Sequence, residues 1–255
     1  MTPTRIGLIV PSSNTTMETE LPEMFRRREA ETGERFTFHS SRARLTQVNA
    51  EELARMVDDG ERCAVEIADA DVDAIAYACL VAVMSQGDGA HAEIERRLAA
   101  AASDGGRRAV PVVSSAGALV QALEALGAQR IAVIAPYMKS LTGMVCDYIG
   151  VCGPEVVRSV SLEVDDNLEV GRIDTDRLVQ IAEELDTSDV DALVLSACVQ
   201  MPSLPAIQPV EDRVGLPVVS SATATTYALL VALGLSPEVP EAGSLLSGRV
   251  PAPTG

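Results

Sequence analysis

Three segments of this chain occur twice, in the same order, and that duplication constrains the fold more than any other feature. Arg5-Ile-Gly-Leu-Ile-Val-Pro11 matches Arg130-Ile-Ala-Val-Ile-Ala-Pro136. Asp73-Ala-Ile-Ala-Tyr-Ala-Cys79 matches Asp191-Ala-Leu-Val-Leu-Ser-Ala-Cys198, and Val110-Pro-Val-Val-Ser-Ser-Ala116 matches Leu216-Pro-Val-Val-Ser-Ser-Ala222. The spacing between copies shrinks along the chain, so connections differ while the units persist. Each unit is far longer than a solenoid repeat and reads as a duplicated α/β half.

The matched segments are short, unbroken apolar runs. Such runs, alternating with helical patterns, imply parallel strands covered on both faces. Helical periodicity runs from Glu51 to Ala70, with Leu53, Met56, Val57, Gly60, Ala64 and Ile67 on one stripe. Further helices are predicted at Ala90 to Ala102, Ala116 to Leu126, Thr175 to Leu185 and Thr223 to Leu233. The uncharged stretch Val214 to Ser236 is long enough to suggest a membrane span, but Pro217 and its threonines and serines fit a strand followed by a helix better. The expectation is two similar parallel-sheet α/β lobes related by a pseudo-twofold axis, with the site in the cleft between them. The first lobe comprises 1–115 plus 221–255, because the last helix packs back on it, and the second comprises 116–220.

Ligands of α/β proteins gather beyond the carboxyl ends of the strands. Cys79 and Cys198 stand at those ends, one per half. A lone cysteine there reads equally as a small buried core residue; two at equivalent places of a repeat point to sulfur chemistry. A free thiol is only slightly ionised near neutral pH and needs activation. No basic side chain adjoins either cysteine, so the backbone N–H groups that follow, Leu80 and Val81 after Cys79 and Val199 and Gln200 after Cys198, are the expected donors. Cys63 lies on an apolar helical stripe, Cys146 in a helical pattern and Cys152 in a connection, and all three read as structural.

Pro11-Ser-Ser-Asn14-Thr-Thr-Met-Glu18 follows the first strand. Thr15 and Glu18 fit a capping box, and Asn14 beside a helix start would complete an anion site without a cation. The equivalent turn in the second half carries Tyr137, whose hydroxyl can donate to a carboxylate or simply cover the sheet edge. Asp165-Asp166-Asn167-Leu168 reads as a loop.

Other signals fail. Gly87-Asp-Gly89-Ala-His-Ala92 imitates a dinucleotide fingerprint but follows the wrong strand. His39 and His91 are far apart and no Cys-x-x-Cys occurs, so no metal site is expected. The formal net charge of −17 excludes nucleic acid and anionic membrane as partners, since both require a positive surface. The same field repels an anionic substrate, which must then be held by local donors. The amino terminus has no export-signal pattern, and five cysteines without regular spacing read as reduced thiols of a cytoplasmic protein. A homodimer is the default assembly for such an enzyme.

Gly7-Leu-Ile-Val-Pro-Ser-Ser-Asn-Thr-Thr-Met-Glu-Thr-Glu20, Cys79-Leu-Val, Ala135-Pro-Tyr137 and Ser196-Ala-Cys198 together resemble the maleate cis-trans isomerases of the aspartate/glutamate racemase superfamily. The resemblance spans nearly the whole chain. It implies the two-lobed fold, no cofactor, a small dicarboxylate substrate (maleate), and a site of Asn14, Cys79, Tyr137, Asn167 and Cys198. The chemistry it implies is addition of a Cys79 thiolate to the double bond, rotation and elimination, with Cys198 as the opposing proton donor or acceptor. Two readings compete. An amino-acid racemase also uses paired thiols but needs a partner for the substrate ammonium, where only Glu18 and Glu20 lie near a strand end; a non-catalytic small-anion binding protein would leave the thiols idle. A decarboxylase of the superfamily typically uses one cysteine.

Overall fold

The computed structural model describes residues 2–250. The first sheet contains β1 (Thr4–Pro11), β2 (Phe36–Ala43), β3 (Ala74–Tyr77) and β4 (Val112–Ser114), and the second contains β5 (Arg130–Ala135), β6 (Glu155–Ser161), β7 (Ala192–Ser196) and β8 (Val218–Ser220). Their orders, β2-β1-β3-β4 and β6-β5-β7-β8, are the same topology used twice, and every strand pairing is parallel. Helices α1 (Met17–Thr32), α2 (Ala50–Ala68), α3 (Leu80–Met84), α4 (Ala90–Ala102) and α5 (Ser115–Ala125) accompany the first sheet in sequence. Helices α6 (Lys139–Val151), α7 (Asn167–Val170), α8 (Thr175–Glu184), α9 (Leu204–Val214) and α10 (Ser221–Ala232) accompany the second. The duplicated α/β architecture read from the sequence is the one observed.

The local causes repeat as well. Asp73 and Asp191 each open their strand by accepting a backbone N–H, from Arg5 and Arg130 respectively, both at 2.8 Å. Ser114 and Ser220 cap α5 and α10 through their hydroxyls, which satisfies N–H groups that a helix start leaves free. α2 is capped by Asn49 and buries the expected stripe, including Cys63, against the sheet. Gly7 lets that helix approach β1, since a Cβ there would sit 2.3 Å from the Ile67 methyl.

The copies differ by one residue where it matters. The segment leading to Cys198 is one residue longer than the one leading to Cys79, and a register irregularity between Val194 and Ser196 absorbs it. An extra residue in a strand is accommodated as a bulge, after which side chains resume their facing. Ala78 donates to Ile9 at 2.8 Å and Ala197 donates to Ile134 at 3.0 Å. Both cysteines therefore leave their sheets from the same rung.

α10 carries no charged residue and is buried over most of its length. It lies against α1, β3, β4 and its counterpart α5, and the Thr225 hydroxyl reaches the Ser115 hydroxyl at 3.0 Å. No helix among the described residues is long and apolar enough to cross a membrane; the Val214 to Ser236 stretch holds β8 and α10.

Two local expectations are corrected. The capping box at Thr15 and Glu18 does not form: α1 begins at Met17, with Thr16 in the cap position. The Thr16 hydroxyl instead reaches across to the Gln200 carbonyl at 2.7 Å, and Glu18 is drawn away to Arg42. Asn14 serves the helix start in their place, its Oδ1 accepting the Met17 N–H at 3.0 Å. Asn167 lies not in a loop but at the first position of α7, which Asp166 caps.

Candidate active site

Each half contributes loops from beyond the carboxyl ends of its central strands. Cys79 follows β3 and occupies the N-cap of α3. Cys198 follows β7 in a turn folded by Ser196, whose buried hydroxyl donates to the carbonyls of Cys198 at 3.0 Å and Met201 at 3.2 Å. Tyr137 comes from the β5–α6 turn and Asn14 from the equivalent β1–α1 turn. All four are buried, as are Asn167, Leu80, Val81 and Val199.

The structure brings the thiols together. Each lies close enough for the charge of a Cys198 thiolate to oppose ionisation of Cys79. The Tyr137 hydroxyl pairs with the Cys198 thiol and feels a charge on Cys79 as well. One group from the first half and two from the second therefore converge on a shared point.

Burial is the dominant influence on their protonation. It pushes the Cys79 thiol up to about 12, with the Ala82 N–H pulling weakly the other way. Burial also raises Cys198, but the Tyr137 hydroxyl and the N–H groups of Gln200 and Met201 oppose the rise. Desolvation favours a neutral thiol, whereas donors favour the thiolate. Cys198 is thus the sulfur with more protein donors, among them the Gln200 N–H at 3.3 Å.

The donors differ in part from the expected ones. After Cys79 it is the Ala82 N–H, not that of Leu80 or Val81, that favours the thiolate, although the thiol makes no cap hydrogen bond in this geometry. An N-cap side chain looks toward the N–H groups of the second and third helical residues, and Ala82 is the third. After Cys198 the donors are Gln200, as expected, and Met201, while Val199 instead accepts through its carbonyl. Asn14 Nδ2 donates to that carbonyl at 3.0 Å, linking the two halves.

The roles of two side chains at this junction, those of Ser13 and Gln200, are not evident from the sequence. Ser13 accepts from Asn167 Nδ2 at 2.7 Å and donates to the Leu45 carbonyl at 2.7 Å. Gln200 directs its side chain between the halves, touching Ser13, Thr15 and Asn167. Ser13 lies next to Asn14 and the Gln200 backbone is an expected donor, but the side chains of a loop serine and a loop glutamine carry no periodic or motif signal of their own.

The carboxylates nearest the first strand end are engaged elsewhere. Glu18 pairs with Arg42. Glu20 is buried and accepts the N–H groups of Ser203 at 2.6 Å and Leu204 at 2.7 Å at the start of α9. Among the described residues no group of three or more His, Cys, Asp or Glu could hold a metal ion.

A duplicated α/β frame that brings one buried thiol from each half together is that of the racemase-like class of enzymes. The family described as arylmalonate decarboxylase matches residues 6–246. A maleate isomerase of Geobacillus stearothermophilus is 58% identical over 246 residues, covering 96% of this chain and 98% of the relative. The chain belongs to the maleate isomerase family. A crystal structure of a cysteine-to-alanine variant of the Pseudomonas putida maleate isomerase with maleate matches with a TM-score of 0.95 at 52% identity, over 97% of this chain and 99% of that one. A cysteine-to-serine variant of the Nocardia farcinica maleate cis-trans isomerase, with a covalently bound succinylcysteine intermediate, matches with a TM-score of 0.92 at 48% identity, over 96% and 99%.

Proposed function

We propose that this protein converts maleate to fumarate without a cofactor, with Cys79 as nucleophile and Cys198 as the proton-transferring partner. The observation that carries the reading is the convergence of the two thiols and the Tyr137 hydroxyl at one buried point. The maleate held by the Pseudomonas relative and the succinylcysteine of the Nocardia relative support it. An adduct in a variant that has lost a cysteine means that another thiol holds the succinyl group.

A double bond resists rotation until its π pair is displaced. The Cys79 sulfur forms a bond to one olefinic carbon, and the π electrons move onto the other carbon and its carboxylate. Cys198 delivers its proton to that second carbon, leaving a succinyl group on Cys79 whose central bond is single and turns. Cys198 then recovers the proton, the carbon–sulfur pair returns to Cys79, and the double bond re-forms in the trans arrangement. Both thiols end as they began.

Charge developing at the carboxylate needs donors fixed before the reaction. The second amide N–H of Asn14 and of Asn167, beyond those given to Val199 and Ser13, together with Tyr137 and the backbone about Leu80, Val81 and Val199 supply uncharged ones, which suits an anion inside a strongly acidic protein. Because the site is buried, substrate entry requires the loops of the two halves to part. In the opened, wetted site a thiol returns toward its ordinary value of about 8.5, so the Cys79 thiolate forms before closure rather than after it.

Of the rival readings, racemisation is disfavoured because Glu18 and Glu20 are both spent on protein partners, leaving no carboxylate for an ammonium group. Incubation of the purified protein with maleate, followed by ultraviolet absorbance, tests the proposal. Turnover without added cofactor is expected, and Cys79→Ser should abolish it. Near wild-type turnover by that variant would overturn the assignment of Cys79, and tight maleate binding without turnover by the wild type would favour a binding protein.

A further inference from the structure

Gln200 is 2% exposed, and its hydrogen-bonding capacity is used to an unusual degree. Its Oε1 accepts the Thr15 N–H at 3.0 Å. Its Nε2 donates to the Ser13 carbonyl at 3.2 Å and to the Asn167 carbonyl at 3.1 Å. The partners fix the amide orientation, because a flipped amide would set nitrogen against an N–H and oxygen against two carbonyls. Through its backbone the same residue donates to Cys198 Sγ at 3.3 Å and accepts from the Thr16 hydroxyl at 2.7 Å.

These contacts have a pattern. Ser13 and Thr15 flank Asn14, so the amide grips that residue from both sides. The third partner is Asn167 itself, and the backbone link is to Cys198. A second observation is independent of the hydrogen bonds: a Cβ on Gly171, just past α7, would lie 2.6 Å from Gln200 Nε2. Gly171 has an ordinary helical φ of −68°, so backbone conformation does not require glycine there. The space is taken by the Gln200 amide, which three hydrogen bonds keep from moving aside.

We infer that Gln200 is a positioning residue, whose side-chain amide sets the spacing between the Asn14 loop, the Asn167 turn and Cys198 when the halves close. The inference rests on the proposed isomerase reading, since the groups it aligns are the substrate donors and the proton-transferring thiol of that reaction. Misplacement of reacting groups by about 1 Å can cost on the order of 100-fold in rate. Gln200 would thus govern turnover without touching the reacting carbons.

Three variants test this: Gln200→Met, which keeps bulk and loses the amide; Gly171→Ala, which crowds the amide; and the double variant. Gln200→Met should lower kcat/KM for maleate about 10- to 100-fold per folded molecule, with kcat falling more than KM rises. Gly171→Ala should cost about 3- to 10-fold alone and nothing further in the Gln200→Met background, since sites that act through one group are not additive. A Gln200→Met enzyme within about twofold of wild type, or a Gly171→Ala penalty of equal size in both backgrounds, would overturn the inference. If Gln200→Met does not fold, kcat/KM of Gly171→Ala decides, and a value within about twofold of wild type overturns it. If wild-type protein does not turn over maleate, the isomerase reading fails by itself. The alignment of Cys198 is then read from iodoacetamide labelling, which either variant should speed at least about fivefold by loosening the turn that shields the thiol, and unchanged labelling would overturn the inference.

Discussion

Asn14 Nδ2 donates to the carbonyl of Val199, the residue directly after Cys198, at 3.0 Å, while Asn14 Oδ1 caps α1 through Met17. One side chain therefore starts a helix in the first half and fixes the thiol-bearing turn of the second. Asn14→Asp separates these roles. An aspartate keeps the cap, which a helix N-terminus favours, but it loses the donor and places a negative charge where an anionic substrate must bind. The expected result is a stability loss of about 1–3 kcal/mol from the unpaired buried carbonyl, with kcat/KM down by at least about 100-fold. Denaturant unfolding and steady-state kinetics on the same preparation check both halves of the statement.

Tyr137 supplies the hydroxyl that opposes the burial-driven rise of Cys198. Tyr137→Phe preserves the ring and removes that hydroxyl, so the Cys198 thiolate loses its side-chain donor and the thiol titrates higher. The pH dependence of Cys198 labelling by iodoacetamide should move to higher pH, and kcat should fall by about 10- to 100-fold. Labelling that follows the wild-type pH curve would show that the hydroxyl and the sulfur are not paired in solution.

The duplication, the strand ends and both thiols were legible because they depend on local apolar runs, and those runs recur. The single extra residue before Cys198 did not mislead, since a bulge between Val194 and Ser196 restored the rung. The start of α1 was misread for a tertiary reason. Thr15 and Glu18 have the right chemistry for a capping box, but α1 starts one residue later than that box requires, with the Thr15 N–H held by Gln200 and Glu18 paired to Arg42, and Asn14 takes over. The side-chain roles of Gln200 and Ser13 were invisible for the same reason, because they exist only once the two halves meet, although the Gln200 N–H was an expected donor to Cys198. Ala82 was recoverable in principle: placing Cys79 at an N-cap, rather than merely after a strand, names the third helical N–H as its donor.

Glu20 links the halves from α1 by accepting the Ser203 and Leu204 N–H groups at the start of α9. Glu20→Ala leaves both buried N–H groups and the Ser203 hydroxyl without their acceptor and should destabilise the protein by about 2–4 kcal/mol, while Glu20→Gln keeps an oxygen at the position that accepts both N–H groups, alters only the contact to the Ser203 hydroxyl, and should cost about 1 kcal/mol or less. Burial outweighs the donors and raises the Glu20 carboxyl. Its stabilising contribution is therefore complete below the ordinary carboxylate range and declines as pH rises through the raised value. The stability gap between wild type and Glu20→Gln, measured by urea unfolding, should accordingly narrow with increasing pH. A gap that widens instead would mean that the charged form is the one the fold prefers.

The Cys79 thiol, pushed up to about 12 by burial, makes a separate claim on stability. In the unfolded chain a cysteine ionises near 8.5. The folded protein therefore holds this proton over a range in which the unfolded chain has released it. The contribution is fully present below about pH 8.5 and is lost as pH rises toward 12, a total on the order of 5 kcal/mol. Cys79→Ala removes the titrating group without enlarging the side chain. Urea unfolding of wild type between pH 8 and pH 11 should show stability falling more steeply than in the variant, with the two curves running parallel below about pH 8. Parallel curves across the whole range would mean that the thiol titrates alike folded and unfolded, and that the site stands open to water more than the closed geometry allows.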